Sequence, residues 1–577
     1  MFCDSTPDML LLIRQCSSSW GVETPTSEIG LRTPVFDVPP NLNAALHTIM
    51  ALTDAGKRRT LWIDQICILQ KPPKNQDKIA QLKMMGEIYE NASNVLIWLG
   101  NPPPHIPNAK VYVEQLPSII EKIKRGVARI GPNFQPSVTA GLPLDDDPVW
   151  EIIVDVLHRD WYYRVWTLQE AVLAKELVVY YGANILDWDL VVNLYRAYGS
   201  AGLMPLRSVY DEKEIHYKSI MSIMTYRQYR EKGKEIDWSH LLWTCGFRDC
   251  SNPLDRIFAL LGMADKSVTS VIEPDYHADE RQVFLDAFKV AIKYDHQLHI
   301  LNLPFERGDT LTFERGNSKG LPTWCPNLKK RLNGCMQLSA RLVGVRKFDE
   351  KSSEVFHNSK DHLTIKGLEL DTIHQIAESD YPGFGERFTV ERSELVSRFH
   401  EETSRMTKNS AYGKDKAEVL AAEALEAKPL EGKGLEAYCR TLIADVARAH
   451  NGREWSAEEM MTAHKYHFTP LHLHAHLSNS DKALSSKYGS LVNQACMGRK
   501  FILTTKGRVG LAPAKCQIGD VICVFLGACA AHVLRPNVDP PDTFRFVGDC
   551  YLHGIMNMEA LDMHDKGDVK AKLFTVT

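Results

Sequence analysis

The stretch that most constrains this chain is Arg159 to Gly182, RDWYYRVWTLQEAVLAKELVVYYG. Its first half sets Trp166, Glu170 and Leu173 at i, i+4 and i+7, one face of a helix, with Val165, Leu168 and Val172 as an adjoining apolar stripe. That spacing predicts a helix on which Glu170 is at least half buried. The second half, Leu177 to Tyr181 closed by Gly182, is dense in β-branched and aromatic residues and reads as a buried strand. A helix leading into a buried strand belongs to a parallel α/β sheet.

The same alternation runs upstream. From Asn41, Leu42, Ala45, Leu46 and Ile49 keep helical spacing. Leu61-Trp62-Ile63 is an apolar burst that stops at Asp64, as a buried strand would if Asp64, Gln65, Cys67 and Gln70 followed its carboxyl end. Asp77 to Ala92 is amphipathic, with Ile79, Leu82, Met85, Ile88 and Tyr89 opposite Lys83, Glu87 and Glu90. Val95 to Leu99 is the next strand, stopped by Gly100 and Pro102 to Pro104. Open α/β sheets bind ligands on the rim beyond the carboxyl ends of their strands. That rim holds Trp20, Gly21, Asp64 to Cys67 and Gly100, and the helix carrying Arg164, Trp166 and Glu170 opens on the same side.

At 577 residues the chain is long enough for two to four domains. A formal net charge of −4 argues against nucleic acid or an anionic membrane as an obligatory partner. The thirteen cysteines include no C-x-x-C pair, which points away from a disulfide framework or a four-cysteine zinc site and toward reduced thiols. No signal peptide and no membrane-spanning run of about 18 apolar residues is read. A soluble cytoplasmic protein is expected.

Three blocks resemble a known family. LWIDQICILQ, QLKMMGEIYENASNVLIWLG and RDWYYRVWTLQEAVLA follow the order of the signature blocks of the fungal heterokaryon-incompatibility (HET) domain, roughly W-I-D-x-I-C-I-N-Q, Q-V-x-x-M-x-x-I-Y-x-x-A and W-x-x-R-x-W-x-x-Q-E. NPLDRIFALLG at 252–262, PTWCP at 322–326, Gly519-Asp520 and Tyr551 to Met556 agree further, so the resemblance to large HET-domain proteins covers most of the chain. Departures fall at Ser17 to Gly21, where the family has L-S-Y-x-W-G, and at Leu69, where it has Asn. Trp166-x-x-x-Glu170 is also similar to the helix of Toll/interleukin-receptor (TIR) domains that bears the glutamate of their NAD-cleaving members. The resemblance implies a TIR-like or flavodoxin-like parallel sheet and a role in fungal non-self recognition and regulated cell death. It further implies NAD as a substrate rather than a required cofactor, with Glu170 as the key carboxylate. Its partner would be a second copy or another incompatibility protein; the alternative is a noncatalytic self-association or partner-binding module.

With 1–190 as the HET domain, the remainder divides by pattern. Residues 191–300 read as mainly helical, with Tyr- and Arg-rich turns around Tyr217 to Arg230 and an apolar helical face over Gln282 to Lys293. Residues 301–402 read as mixed α/β, with strands at Leu363-Thr364-Ile365 and Leu368. Residues 403–460 read as a helical or mobile charged insertion, because 403–437 is rich in Ala, Glu, Lys and Gly with few large apolar groups. Residues 461–577 read as a smaller β-rich module with strands at Phe501 to Thr504, Val521 to Phe525 and Phe544 to Val547 and turns at Gly507, Gly510, Gly519 and Gly548.

Each candidate site residue has a plain structural reading beside the chemical one. Glu170 next to a ribose would stabilise oxocarbenium character as nicotinamide leaves; paired with Arg164 or Arg159 it only fixes its helix. Trp20, Gly21, Asp64, Gln65, Cys67, Arg164 and Trp166 would surround the nucleotide, although Asp64 suits an N-cap or loop role nearly as well and Cys67 has no histidine nearby in sequence to activate it. His464, His467, His472, His474 and His476 form a metal-like run, but without cysteine or carboxylate at supporting spacing they read as a solvated or packed face, and no metal site is expected. Asp255-Arg256 reads as a helix-capping salt bridge. Phosphate-loop, G-x-G-x-x-G and G-x-S-x-G signatures do not occur.

Overall fold

The computed structural model of the chain describes residues 9–11, 27–30, 35–54, 59–68, 76–126, 142–144, 147–200, 214–294, 298–302, 321–329, 355–357, 362–381, 390–411, 431–445, 455–468, 476, 478–528, 530–556 and 559–577. The fold separates into two compact units, Met1–Val283 and Phe284–Thr577.

The first unit begins with β1 (Met9–Leu11), a hairpin of β2 (Ser27–Gly30) and β3 (Val35–Val38), and α1 (Pro40–Ala51). Then come β4 (Thr60–Leu61), α2 (Asp64–Cys67), α3 (Gln76–Asn91) and β5 (Asn94–Trp98). After α4 (Ala109–Gly126) and α5 (Pro148–Leu157), a 3-10 turn (Asp160–Tyr163) leads into α6 (Val165–Leu173), β6 (Leu177–Tyr181), β7 (Asn184–Asp187) and α7 (Trp188–Ser200). The sheet order is β4-β1-β5-β6-β7. Its first four strands are parallel, and β7 returns antiparallel beside β6. The all-parallel expectation fails only at that edge, because the two residues Gly182-Ala183 cannot hold the crossover that a parallel neighbour needs.

One sheet face is covered by α1, whose Leu42, Ala45 and Ile49 pack on Leu96, Trp98 and Tyr180. Burial of these side chains supplies roughly 1.5–3 kcal/mol each for the larger ones. β4 is shorter and less buried than the Leu61-Trp62-Ile63 burst suggested, because Ile63 already serves as the N-cap of α2.

The unit continues with α8 (Glu214–Glu231), α9 (Trp238–Cys245), α10 (Asp255–Phe258), α11 (Lys266–Thr269) and α12 (Glu280–Tyr294). The Tyr- and Arg-rich segment read as turns is helical: α8 buries Ile220, Ile223, Met224 and Tyr226. Residue 190 lies inside α7, and the division between the two units falls inside α12.

The second unit is built on a closed barrel. β8 (Val355–His357) pairs with β9 (Leu363–Ile376), a single strand of 14 residues where two short ones were expected. After β9 come α13 (Val390–Lys408), α14 (Gly432–Leu442), α15 (Ala457–His467) and α16 (Asn479–Cys496). Then follow β10 (Arg499–Thr504), β11 (Val509–Pro513), β12 (Val521–Phe525), β13 (Ala531–Pro536), β14 (Thr543–Leu552), α17 (Glu559–Asp565) and β15 (Ala571–Val576). Antiparallel pairing closes the ring β9-β10-β11-β14-β13-β12-β9. β15 bridges β9 and β14. Closure removes unpaired ladder edges.

Buried charges in the barrel are paired, as the cost of burying a lone ion demands. Arg499 meets both oxygens of Asp549 at 3.1 and 3.2 Å, and Arg535 meets Asp520 at 2.9 Å. Asp371 accepts from Thr504, Thr505, the Lys506 backbone and Arg508, which ties β9 to the β10–β11 turn.

The segment 403–437, read as exposed or mobile, contributes to the core where it is described. Thr403, Met406, Thr407 and Ser410 are buried on and just after α13, and Ala437 is buried on α14. The threonines face inward because their hydroxyls bond back to the helix, Thr403 to Phe399 O at 2.7 Å and Thr407 to Thr403 O at 2.9 Å.

Candidate functional site

The carboxyl rim of the first sheet is filled by protein where β5 and β6 end. β5 gives way to Gly100, whose φ of 93° suits glycine. A side chain there would start 3.0 Å from the Arg159 guanidinium, which lies over the backbone. Arg159 donates to Asn101 O at 2.7 Å, pairs with Asp155, and sits 5.4 Å from the centre of the Tyr181 ring. Tyr181 donates to Asp155 Oδ2 at 2.6 Å; burial first, then this acceptor, holds the phenol well above its ordinary range. The ion pair of Arg159 thus goes to Asp155 rather than to Glu170.

Asp64, Gln65 and Cys67 stand on the short α2. Asp64 is 3% exposed in the first turn of α2 and takes the Gln65 N–H on Oδ1 at 2.8 Å, while the N-cap position falls on Ile63 without a side-chain cap. Cys67 is exposed, with its Sγ 3.5 Å from the Ile63 N–H. Trp20 and Gly21 lie outside the described residues, as do Ser18 and Leu69.

Glu170 is placed differently from the rim residues. All nine residues of α6 are buried, Glu170 at 1% and Trp166 at 5% exposure, so the helix has no solvent face at all. Arg164 is the N-cap of α6 and is half-buried, its neighbour Val165 bonding through N–H to Asp249 O at 2.9 Å. Thr167 donates to the carbonyls of Trp161 and Arg164, at 2.9 and 2.7 Å.

A set of arginines that sequence reading missed holds α6 at both ends. Arg227, on α8, donates to Ala171 O and Ala174 O at 2.6 and 2.9 Å. Arg230 donates to Val172 O at 3.0 Å and to Glu90 on α3 at 2.9 Å. Cations at a helix C-terminus satisfy its open carbonyls and oppose its dipole. Before the helix, the fully buried Arg248 donates to Tyr162 O and Arg164 O at 3.1 and 3.2 Å and to Ser219 O at 2.8 Å. Arg256 donates to the carbonyls of Cys245 and Arg248, at 2.7 and 2.5 Å, while Asp255 accepts from Tyr276. The Asp255-Arg256 pair is therefore divided between other partners.

The side of α6 next to Glu170 is equally filled. Gln169, with its amide oriented to satisfy both ends, donates to Ala259 O at 3.0 Å and accepts from Gly86 N–H at 3.2 Å. A Cβ on Gly262 would fall 2.8 Å from that amide, so glycine is what allows the approach.

Of the histidine run, His464 and His467 lie on α15, His476 is exposed, and His472 and His474 lie outside the described residues. Among the described residues, no group of three or more His, Cys, Asp or Glu is arranged to hold a metal ion. No helix among them is long and apolar enough to cross a membrane.

Two family matches fall on the two halves of this architecture. Residues 16–170 match the family described as heterokaryon incompatibility protein (HET), and residues 414–570 match the Het-6 beta-barrel domain. Sequence similarity over both regions supports placing the chain among heterokaryon incompatibility proteins. Among individual proteins, it is similar to "Heterokaryon incompatibility protein 6, OR allele" of Neurospora crassa, with 22% identity over 631 residues that span 95% of this chain and 90% of that protein. No solved structure matches the chain. The first match stops at Glu170, within α6, before the arginines that cap that helix. The second begins after β9, although the barrel needs β9 to close.

Proposed function

We propose that this chain acts in fungal non-self recognition and the regulated cell death that follows it, with its α/β unit serving as a noncatalytic module that engages a second copy or another incompatibility protein. The similarity to an incompatibility protein along nearly the whole chain supports the role. A TIR-like or flavodoxin-like kinship for the first sheet is supported by its strand order. Numbered by sheet strands alone it runs 2-1-3-4-5, the order of flavodoxin-type sheets.

The observation that carries the noncatalytic reading is the burial of Glu170, 1% exposed on a helix without a solvent face. A glycosidic bond has no approach to that carboxylate. The rival reading, NAD cleavage with Glu170 as the catalytic carboxylate, requires α6 to leave its seat. The two are separated by Glu170→Gln, which keeps the shape of the side chain. Wild type and variant are induced to equal levels in a fungal host and also purified and incubated with NAD. The expected outcome is equal growth arrest and no nicotinamide release from either protein. Turnover by the wild type that disappears in Glu170→Gln overturns the proposal.

A further inference from the structure

Four helices of the second unit meet around three imidazoles. His400, on α13, stacks on Phe468 with 4.3 Å between ring centres and 19° between planes. His464 lies 5.2 Å from His400, 5.4 Å from Tyr438 on α14 and 5.7 Å from Tyr488 on α16. His467 reaches the Tyr381 hydroxyl at 3.1 Å. Tyr438 in turn packs on Phe501 of β10, 5.9 Å away, so the cluster joins the helices to the barrel wall.

The hydrogen bonds fix where an added proton would go. Thr403 gives its hydroxyl hydrogen to Phe399 O, so the Tyr438 hydroxyl at 2.8 Å donates to Thr403, and His400 Nδ1 at 3.0 Å must donate to Tyr438. The open position of His400 is Nε2. Nε2 of His464, 5% exposed, has no hydrogen-bond partner among the described residues.

Among the described carboxylate side chains of the surrounding helices, Glu394, Glu401 and Glu458 are exposed to solvent and the others are engaged elsewhere. On α13, Glu402 accepts from the backbone N–H of Glu378 and Ser379 at 2.6 and 3.0 Å. On α14, Glu436 holds Arg440 at 2.9 Å, as does Asp445 just beyond it at 2.6 Å. Glu459 on α15 caps Ser456, Asp481 on α16 accepts from Ser478, and on β10 Arg499 and Lys500 pair with Asp549 and Asp380. Of the cations on these helices, Arg405 acts on Glu402 and Lys487 lies over Trp455. The titratable groups around the imidazoles are phenols and thiols, Tyr381, Tyr438, Tyr488, Cys439 and Cys496. Burial keeps Tyr438, Tyr488 and both thiols neutral, pushing Cys439 up to about 12.

We propose that this imidazole cluster is an acid-sensitive latch, which seats α13 and α15 on the barrel at neutral pH and releases them in acid while the barrel stays closed. Burial lowers His400 from 6.5 to about 4. It lowers His464 as well, with His400 and His467 adding to the effect. A base depressed in the closed state favours closure fully above its free value of 6.5, and that contribution is lost as pH falls from there toward 4. For His400 alone the opening equilibrium rises about 30-fold between pH 7.5 and 5.

Amide hydrogen exchange of the full chain, followed by mass spectrometry and corrected for the intrinsic pH dependence, tests the latch. Peptides from 390–408 and 457–468 are expected to exchange at least ~10-fold faster at pH 5 than at pH 7.5, with β12 and β13 unchanged. His464→Gln should move the onset to lower pH. Barrel and helices loosening together, or an unchanged onset in a folded His464→Gln chain, overturns the proposal. If that variant does not fold, histidine NMR of the wild type decides. Two imidazoles titrating well below the rest support the latch, and all of them titrating near 6.5 sinks it.

Discussion

The amide of Gln169 bridges α3 and the segment after α10 at a place where two backbones meet without side chains. A Cβ on Gly86 would fall 3.1 Å from Gly262 Cα, and one on Gly262 would fall 2.8 Å from the Gln169 amide. The amide cannot yield without giving up both of its hydrogen bonds. Gly262→Ala should therefore cost about 1–3 kcal/mol, seen as a lower urea midpoint at unchanged slope. Gln169→Leu, which strands Ala259 O and the Gly86 N–H, should cost a similar ~1–3 kcal/mol. Combined, the two changes should be less than additive because they break one contact. Glu170 burial was legible from its place between Trp166 and Leu173. The work of Gln169 was not, because both of its partners are backbone atoms that carry no letter in the sequence.

At the scale of elements, α6 is held at both ends by arginines that come from downstream. Replacing Arg248 by Met leaves the carbonyls of Tyr162, Arg164 and Ser219 without that buried donor and should destabilise by about 3 kcal/mol or more, measured by denaturant unfolding. α8 looked like turns because Arg227 and Arg230 sit among its inward residues and break the apolar stripe, although both point at carbonyls of α6. α13 was obscured in a related way, by threonines that satisfy their hydroxyls within the helix and so serve as core residues. By contrast β5 and β6 were plain, since strands flanked on both sides read as unbroken apolar runs.

For the whole molecule, the division after Val283 says more than composition did. A fragment ended at residue 190 would carry α6 without Arg227, Arg230 and Arg248. It is expected to be recovered mainly as insoluble material, whereas a fragment ended after Tyr294 should be soluble, with protected amides in β5 and β6. The β-rich end of the chain was legible in Val521 to Phe525, yet its true beginning was not. Among the described residues four helices lie between β9 and β10, and pairing over that distance leaves no local pattern. The first residue of β9, Leu363, pairs with Val576, and Ala571 with Leu368. During synthesis, then, this strand waits for its last partner until nearly the whole unit has left the ribosome. Such non-local pairing folds slowly, and the waiting edge is open to pairing with other chains. A premature stop ahead of residue 571 would leave the 363–368 edge of β9 as an open ladder beside an otherwise closed ring.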